Sequence, residues 1–196
     1  MRLVALIPAA FVLLMSQPVL AQGWFEYVNR DYGFLVNFPA EPKVEDTTYM
    51  AAGGAPLPAK RFSAELGTGR YSVLVVDYST RIADEDGAMA HAATVFRPKG
   101  EVRFEEPSQL DGIPGHQLSI IEPDGRQLQL QLFMYSYMGF HRLYIAEGSV
   151  AAGAAPPAAF WTSLAMVHPD GRIVNINRER RGDSGPPRGG YVPPPP

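Results

Sequence analysis

The chain has 196 residues, of which 46% are hydrophobic, and it contains no cysteine. Disulfides, thiolate nucleophiles and thiolate metal sites are therefore excluded. The segment 22–169 carries 11 basic and 17 acidic side chains, a net charge of −6 against −3 for the whole chain. Such a body would be repelled by a polyphosphate backbone, so we expect no nucleic-acid partner.

The first 21 residues have the layout of a cleaved secretory signal. They read MRLVALIPAAFVLLMSQPVLA, with one positive charge at Arg2, an apolar run and small-residue spacing at the end. The run is shorter than the roughly 20 residues that cross a bilayer, and Pro8 interrupts it. We predict cleavage after Ala21, a periplasmic or secreted mature chain, and no transmembrane segment after cleavage.

The first predicted strands lie before residue 80. At 34–38, FLVNF, apolar side chains alternate as in a half-buried strand, and Pro39 stops it because proline donates no amide hydrogen. A Gly- and Pro-rich loop at 51–58 leads to a strand at 59–66, AKRFSAEL. A GTG return then predicts a hairpin into YSVLVVDYS, which is apolar on both faces and so is expected to be covered on both sides.

The segment 83–97, ADEDGAMAHAATVFR, predicts a helix. Asp84 is placed to cap the first turn, and Pro98 with Gly100 ends the helix. The apolar stripe consists of Met89, Ala92, Ala93 and Phe96. The three acids at its start raise the alternative of a metal site, but the spacing of a calcium loop is absent and capping accounts for them better.

Strands follow the helix. They are predicted at 101–110, 115–122, 126–138 and 140–148. An EPDGR turn joins the second to the third, since Pro123 presets the first turn position and Gly125 can take a positive φ. If Met138 and Gly139 form the tip of the last hairpin, its register follows. The pairs are Leu132 with Ile145, Met134 with Leu143, Ser136 with His141, Phe133 with Tyr144, and Tyr135 with Arg142.

The C-terminal part contains a predicted second helix at 156–167, which begins with proline and carries an apolar stripe. An HPDGR turn then repeats the chemistry of EPDGR, and RIVNIN could add a brief strand. We place one α+β domain at 22–169 and, at 170–196, a short turn or strand followed by an Arg-, Gly- and Pro-rich tail expected to be disordered. That basic tail is a candidate for weak contact with an anionic surface.

The search for reactive groups finds no motif. None of the four histidines sits in an HxH or HExxH spacing. Ser149 and Ser184 lack the strand-turn-helix context of a nucleophilic serine, and no glycine-rich phosphate loop follows a strand. We therefore predict no catalytic residue, no metal site and no cofactor.

One surface is a candidate binding site. Gln127, Gln129 and Gln131 share a strand face that continues into aromatic side chains, with an arginine opposite. Polar amides beside aromatics and an arginine suit a polar or planar ligand, or a partner protein. The predicted binding residues are Gln131, Tyr135, Tyr137, Arg142 and Tyr144. The alternative is that the aromatic end packs under a helix while the glutamines face water.

A sparse pattern of residues is spread over roughly residues 24–168: Tyr32, Gly33, Phe34, Phe38, Pro39, Gly112, Pro114, Gly115, Phe160 and Trp161. In this pattern the chain resembles the PsbP-like group, which includes bacterial DcrB-like periplasmic proteins and shares its fold with a yeast Ran-binding nuclear-import factor. The resemblance implies an antiparallel sheet with helices on its two faces, an α/β/α sandwich, and a non-catalytic accessory or binding role. It carries over no catalytic residue. DcrB-like proteins are often lipoproteins, and the missing cysteine departs from that pattern.

Three functional hypotheses follow. The first is an exported, non-catalytic protein that binds an envelope protein or a small polar ligand. The second is a hydrolase with dispersed catalytic residues that uses His116 or His141. The third is a structural, wall-associated protein that acts through its C-terminal tail.

Overall fold

The structure, a computed structural model, describes residues 23–78, 84–137, 140–155 and 158–181. Within them the chain forms ten strands and three α-helices. In chain order these are β1 Phe25–Asn29, β2 Phe34–Phe38, β3 Lys43–Met50, β4 Pro56–Leu66, β5 Gly69–Asp77, α1 Glu85–Phe96, β6 Glu101–Leu110, β7 Ile113–Ile121, β8 Gln127–Tyr137, β9 Phe140–Val150, α2 Ala158–Trp161, β10 Ala165–Met166 and α3 Ile176–Glu179.

Two antiparallel sheets organise the described residues. The large sheet has seven strands in the order β3-β4-β5-β9-β8-β7-β6, and the small sheet has three in the order β1-β2-β10. The protein is therefore mainly antiparallel β-structure with few helices, which agrees with the α+β class at that level. No helix in the described ranges is long and apolar enough to span a bilayer.

The predicted hairpins are confirmed. The last one has the expected register in all five pairs, from Leu132 opposite Ile145 to Ser136 opposite His141. The EPDGR and HPDGR turns are built alike: in each, the first residue accepts from the glycine amide at 2.8 Å, and the aspartate accepts from the arginine amide at 3.0 or 3.1 Å. The glycines have φ near +85°, which a residue with a Cβ rarely adopts.

One face of the large sheet packs on α1. Asp84 caps this helix by accepting a hydrogen bond from the Gly87 amide at 2.9 Å, as predicted. The face consists of aliphatic side chains from five strands, which are buried together with Ala92, Ala93 and Phe96 of the helix. A helix with such small residues can lie close to the sheet, and this half of the core is mainly aliphatic.

The other face packs on the small sheet. Phe34, Val36 and Phe38 of β2 are fully buried against Phe62 and Tyr144 of the large sheet. Both faces of β5 are consequently buried, as its apolar sequence predicted. The expected α/β/α layering is not established, because on this second face a helix contributes only the four residues of α2.

The predicted helix at 156–167 is wrong beyond residue 161. Thr162 and Ser163 turn their hydroxyls back to the carbonyls of Ala158 and Phe160, at 2.9 and 3.0 Å. Residues 165–166 then pair with β2 as β10. The free edge of β2 offers backbone hydrogen bonds that outweigh helix propensity at this point. Strands β1 and β3 were also not predicted.

The chain remains packed past residue 169. Val174 is fully buried, and its amide donates to Met166 O at 2.9 Å. The RIVNIN segment forms one bridge, between Val167 and Ile173, and then turns into α3. The predicted signal at 1–21 and the tail from residue 182 lie outside the described residues, and the domain boundary stays a prediction.

Candidate functional site

The aromatic end of the predicted binding surface lies in the core. Tyr135 and Tyr144 are 9% and 2% exposed, beneath the small sheet. The Tyr144 hydroxyl donates to Tyr32 O at 2.8 Å, and burial raises the pKa of Tyr144 to about 12. The aromatic end of the surface therefore packs in the core, as in the alternative interpretation, but the small sheet covers it and not a helix. Phe133 shares this environment.

Arg142 holds the β1–β2 turn against the large sheet. Its Nη1 donates to Asp31 O at 2.8 Å, and its guanidinium carbon lies 5.2 Å from the Tyr32 ring centre and 4.9 Å from that of Phe140. Stacked guanidinium groups of this kind stabilise both rings. Arg142 also lines a cavity of about 70 Å³, together with Tyr135 and Tyr144. A cavity of this volume has room for little more than a few waters.

The structure separates the five predicted binding residues into groups. Tyr135, Arg142 and Tyr144 meet at the small cavity, whereas Gln131 lies in a different groove, described below. Tyr137 ends β8, and its side chain lies outside what the structure describes. A binding role for each of the five stays a prediction.

A groove of about 230 Å³ opens where the cover of the small sheet ends. We call it the amide groove, and its side chains are Phe104, Gln117, Ser119, Gln129, Gln131 and Trp161. The register of β6, β7, β8 and β9 arranges them in two rows across the sheet. These rows are Phe104–Ser119–Gln129–Gly148 and Glu106–Gln117–Gln131–Ala146. Gly148 and Ala146 are buried, so the groove ends before β9.

The polar side chains of the groove have unmet hydrogen-bonding capacity. In the described part of the chain, the side chains of Ser119, Gln129 and Gln131 have no hydrogen bond. Gln117 donates its amide nitrogen to Glu106 at 2.8 Å, which leaves its carbonyl oxygen as an acceptor. All four residues are only partly exposed. None of these four side chains has a fully buried polar atom without a partner, so their free donors and acceptors reach the surface and are available to a ligand.

Two aromatic residues flank this array. Phe104 is 43% exposed on the edge strand β6. Trp161, at the end of α2, packs edge-on against Phe160 with ring centres 5.0 Å apart. The Trp161 Nε1 is buried and has no hydrogen-bond partner among the described residues. An unpaired buried donor of this kind costs roughly 1–3 kcal/mol.

A cleft next to His116 lies between α1 and the β6–β7 hairpin. It measures about 410 Å³ and is lined by Arg97, Glu105 and His116 among others. Arg97 Nε donates to Glu105 Oε2 at 3.0 Å, and His116 Nε2 lies 2.9 Å from Glu105 Oε1. The Arg97 hydrogen bond is the main reason that the pKa of Glu105 falls to about 2. Glu105 is therefore held as an ion-pair acceptor.

The other histidines occupy separate places. His141 Nδ1 lies 2.8 Å from Ser136 Oγ, which also hydrogen-bonds to Glu85. His168 is 4% exposed, with Nε2 at 2.9 Å from Glu179 Oε1. Among the described residues no three histidine or acidic side chains converge on a point that could hold a metal ion.

No protein-family model matches the chain, and no curated protein matches it either. The PsbP-like resemblance therefore stays a prediction. The same holds for the export and the binding role that it implies.

Sequence reasoning did not single out four residues of the amide groove. Gln117, Ser119 and Phe104 could have been placed beside Gln129 and Gln131 by extending the register through the EPDGR turn, as for the last hairpin. No local signal places Trp161 there. Its position depends on the break in the predicted second helix.

Proposed function

We propose that the protein is an exported, non-catalytic binding or accessory protein of the bacterial cell envelope, and that it holds its partner in the amide groove. The observation that carries the proposal is a set of four partly exposed polar side chains in the groove, flanked by Phe104 and Trp161. Three of the four have no protein hydrogen bond among the described residues. Such side chains specify a ligand by hydrogen bonds while the aromatics supply contact area. Export is supported by the layout of residues 1–21.

A PsbP-like α/β/α sandwich is part of the same proposal. Two features support it: α1 packs on one face of the large sheet, and α2 lies with the small sheet on the other. A turn at Asp111 and Gly112, both with positive φ, lies in the GIPG region that carries the resemblance. A periplasmic or secreted location and an unidentified envelope partner follow as expectations.

Affinity capture of the exported protein from its own envelope tests the proposal. The tagged wild-type chain is compared with Gln131→Leu, which removes one amide of the array, and with Gln127→Leu as a matched control. Gln127 lies on the same strand and face but outside the groove, where it donates to Ala154 O at 3.5 Å. A companion retained by wild type and Gln127→Leu but lost by Gln131→Leu is the expected result. Retention of the same companions by all three would refute the assignment to this groove.

A second candidate function is hydrolysis. The specific observation in its favour is the 2.8 Å contact between Ser136 Oγ and His141 Nδ1, with Glu85 beside both. In serine hydrolases, however, the serine and the carboxylate engage opposite nitrogens of the histidine ring. In this protein Ser136 and Glu85 both lie at Nδ1 of His141, so the ring does not connect the serine to the carboxylate. Ester hydrolysis by wild type that is lost in both Ser136→Ala and His141→Gln would establish this alternative.

The wall-associated hypothesis rests on the basic tail, which lies outside the described residues. Deleting residues 182–196 leaves the described part of the chain intact. Loss of envelope association in that variant, with unchanged capture through the groove, would assign an additional contact to the tail.

A further inference from the structure

We infer that the amide groove takes a neutral saccharide, an inference that rests on the proposed binding function and names its ligand class. The chemical match lies in the hydrogen-bonding groups. Each glutamine amide has two donor hydrogens, one of which Gln117 gives to Glu106, and a carbonyl oxygen that accepts; the Ser119 hydroxyl does both. Sugar hydroxyls likewise donate and accept. A saccharide can therefore satisfy every member of the array without a charge on either side.

The charge of the groove supports this ligand class. None of its six side chains ionises, although the segment 22–169 has a net charge of −6. Glu106, opposite Gln117 in the register, accepts a hydrogen bond from the Gln117 amide but does not line the groove. A phosphate or carboxylate ligand would find no cation among the lining residues, and a cationic ligand would find no free carboxylate among them.

The geometry of the array suits hydroxyl groups spread over one or two sugar rings. Gln117 lies directly opposite Gln131, and Ser119 opposite Gln129. Opposite side chains on a sheet have Cβ atoms about 5 Å apart, and same-face neighbours along a strand are roughly 7 Å apart. Four hydrogen-bonding side chains thus form a small two-by-two grid. The hydroxyl groups around the edge of a sugar ring can hydrogen-bond to this grid. The C–H groups of the same ring can pack on an aromatic side chain.

An extended proline-rich peptide is the competing occupant, since aromatic grooves also bind such segments. Proline residues offer carbonyl acceptors but no amide hydrogen. They would satisfy the glutamine donors and leave the carbonyl oxygens of Gln117, Gln129 and Gln131 without donors. A saccharide supplies both, so the composition of the groove favours it.

Fluorescence titration of the mature chain tests the inference. Trp24→Phe leaves Trp161 as the one tryptophan, because the sequence has two. Cellotriose and the trimer of N-acetylglucosamine are the neutral probes, at concentrations around 1 mM and above, where weak binding is measurable. We expect a saturable change in Trp161 emission with at least one probe. Gln131→Leu should weaken it at least ten-fold, and Gln127→Leu should leave it unchanged.

A second pair of variants keeps the test independent of folding. Phe104→Ala removes an exposed aromatic wall, and Val102→Ala removes a similarly exposed side chain on the same strand that does not line the groove. Phe104→Ala should weaken binding several-fold while Val102→Ala does not, with equal thermal unfolding temperatures for both.

Three results would overturn the inference: no saturable response to either probe, equal binding by Gln131→Leu, or displacement of the probe by a neutral proline-rich peptide that binds more tightly. If envelope capture still depends on Gln131 while both sugars fail, the binding function stands and only the ligand class is refuted. If capture and sugar binding both ignore Gln131, the proposed function fails as well.

Discussion

Replacing Gly115 by alanine tests how the β7–β8 pair is packed. A Cβ at this position would overlap Phe133 Cδ1 and would lie 2.7 Å from the carbonyl oxygen of Leu132. Ordinary carbon contacts lie near about 3.5 Å, so the ring would have to retreat by roughly 1 Å. Phe133 is 1% exposed and directly opposite Gly115, and the carbonyl belongs to the backbone of a central strand. Neither group has space to move.

The expected cost follows from that overlap. Inserting a methyl group into a packed core costs about 1–3 kcal/mol, and the backbone contact places Gly115→Ala in the upper half of that range. For a domain of about 150 residues this lowers the unfolding temperature by roughly 5–10 °C. Urea unfolding should show a lower midpoint with an unchanged m-value, because the surface exposed on unfolding stays the same.

A double-mutant cycle with Phe133→Leu separates the overlap from a general effect of alanine in a strand. Phe133→Leu removes the ring atoms nearest the new methyl group, so the cost of Gly115→Ala should fall by about 1 kcal/mol or more in that background. A cost below about 0.5 kcal/mol for the single variant, or an unchanged cost in the Phe133→Leu background, would refute the reasoning.

Two further predictions concern charge and capping. The pKa of Glu105 is lowered to about 2, chiefly by its hydrogen bond from Arg97, so the stabilisation is present above about pH 4.5 and is lost as the pH falls towards 2. With solvent screening we expect this ion pair to add about 1 kcal/mol to the free energy of unfolding. Glu105→Gln should therefore flatten the pH dependence of urea unfolding between pH 4.5 and 2. An unchanged slope in that variant would contradict the ion pair. Asp84→Ala should lower the free energy of unfolding by about 1 kcal/mol, measured by thermal unfolding followed by circular dichroism. Asp84→Asn should not, because it keeps an acceptor for the Gly87 amide. Equal losses in the two variants would exclude capping as the cause.

Much of the large sheet was predictable because its determinants are local. The register of the last hairpin follows from the alternating side chains of its two strands, which can be read from the sequence. The same is true of the Asp84 cap and of the PDGR turns. Strand β3 was missed because its exposed edge position needs little apolar sequence.

The candidate site was predictable in part. Alternation along β8 put Gln129 and Gln131 on one face with Tyr135, but it could not say where the cover of that face stops. The small sheet buries Tyr135 and leaves the glutamines partly exposed. Covering depends on β2 and β10, which are far apart in the chain and meet only after folding.

The sequence by itself determined the local features of this protein: the turns, the α1 cap, the strand pattern and the absence of thiol chemistry. These depend on residues a few positions apart, where backbone sterics and side-chain period act directly. The tertiary structure alone decided that residues 165–166 extend as a strand, that Arg142 and Tyr144 hold the β1–β2 turn, and that an uncharged groove remains open beside Trp161. Those outcomes depend on which segments, distant in the chain, pack on a given face of the sheet, and a local sequence pattern does not contain that information.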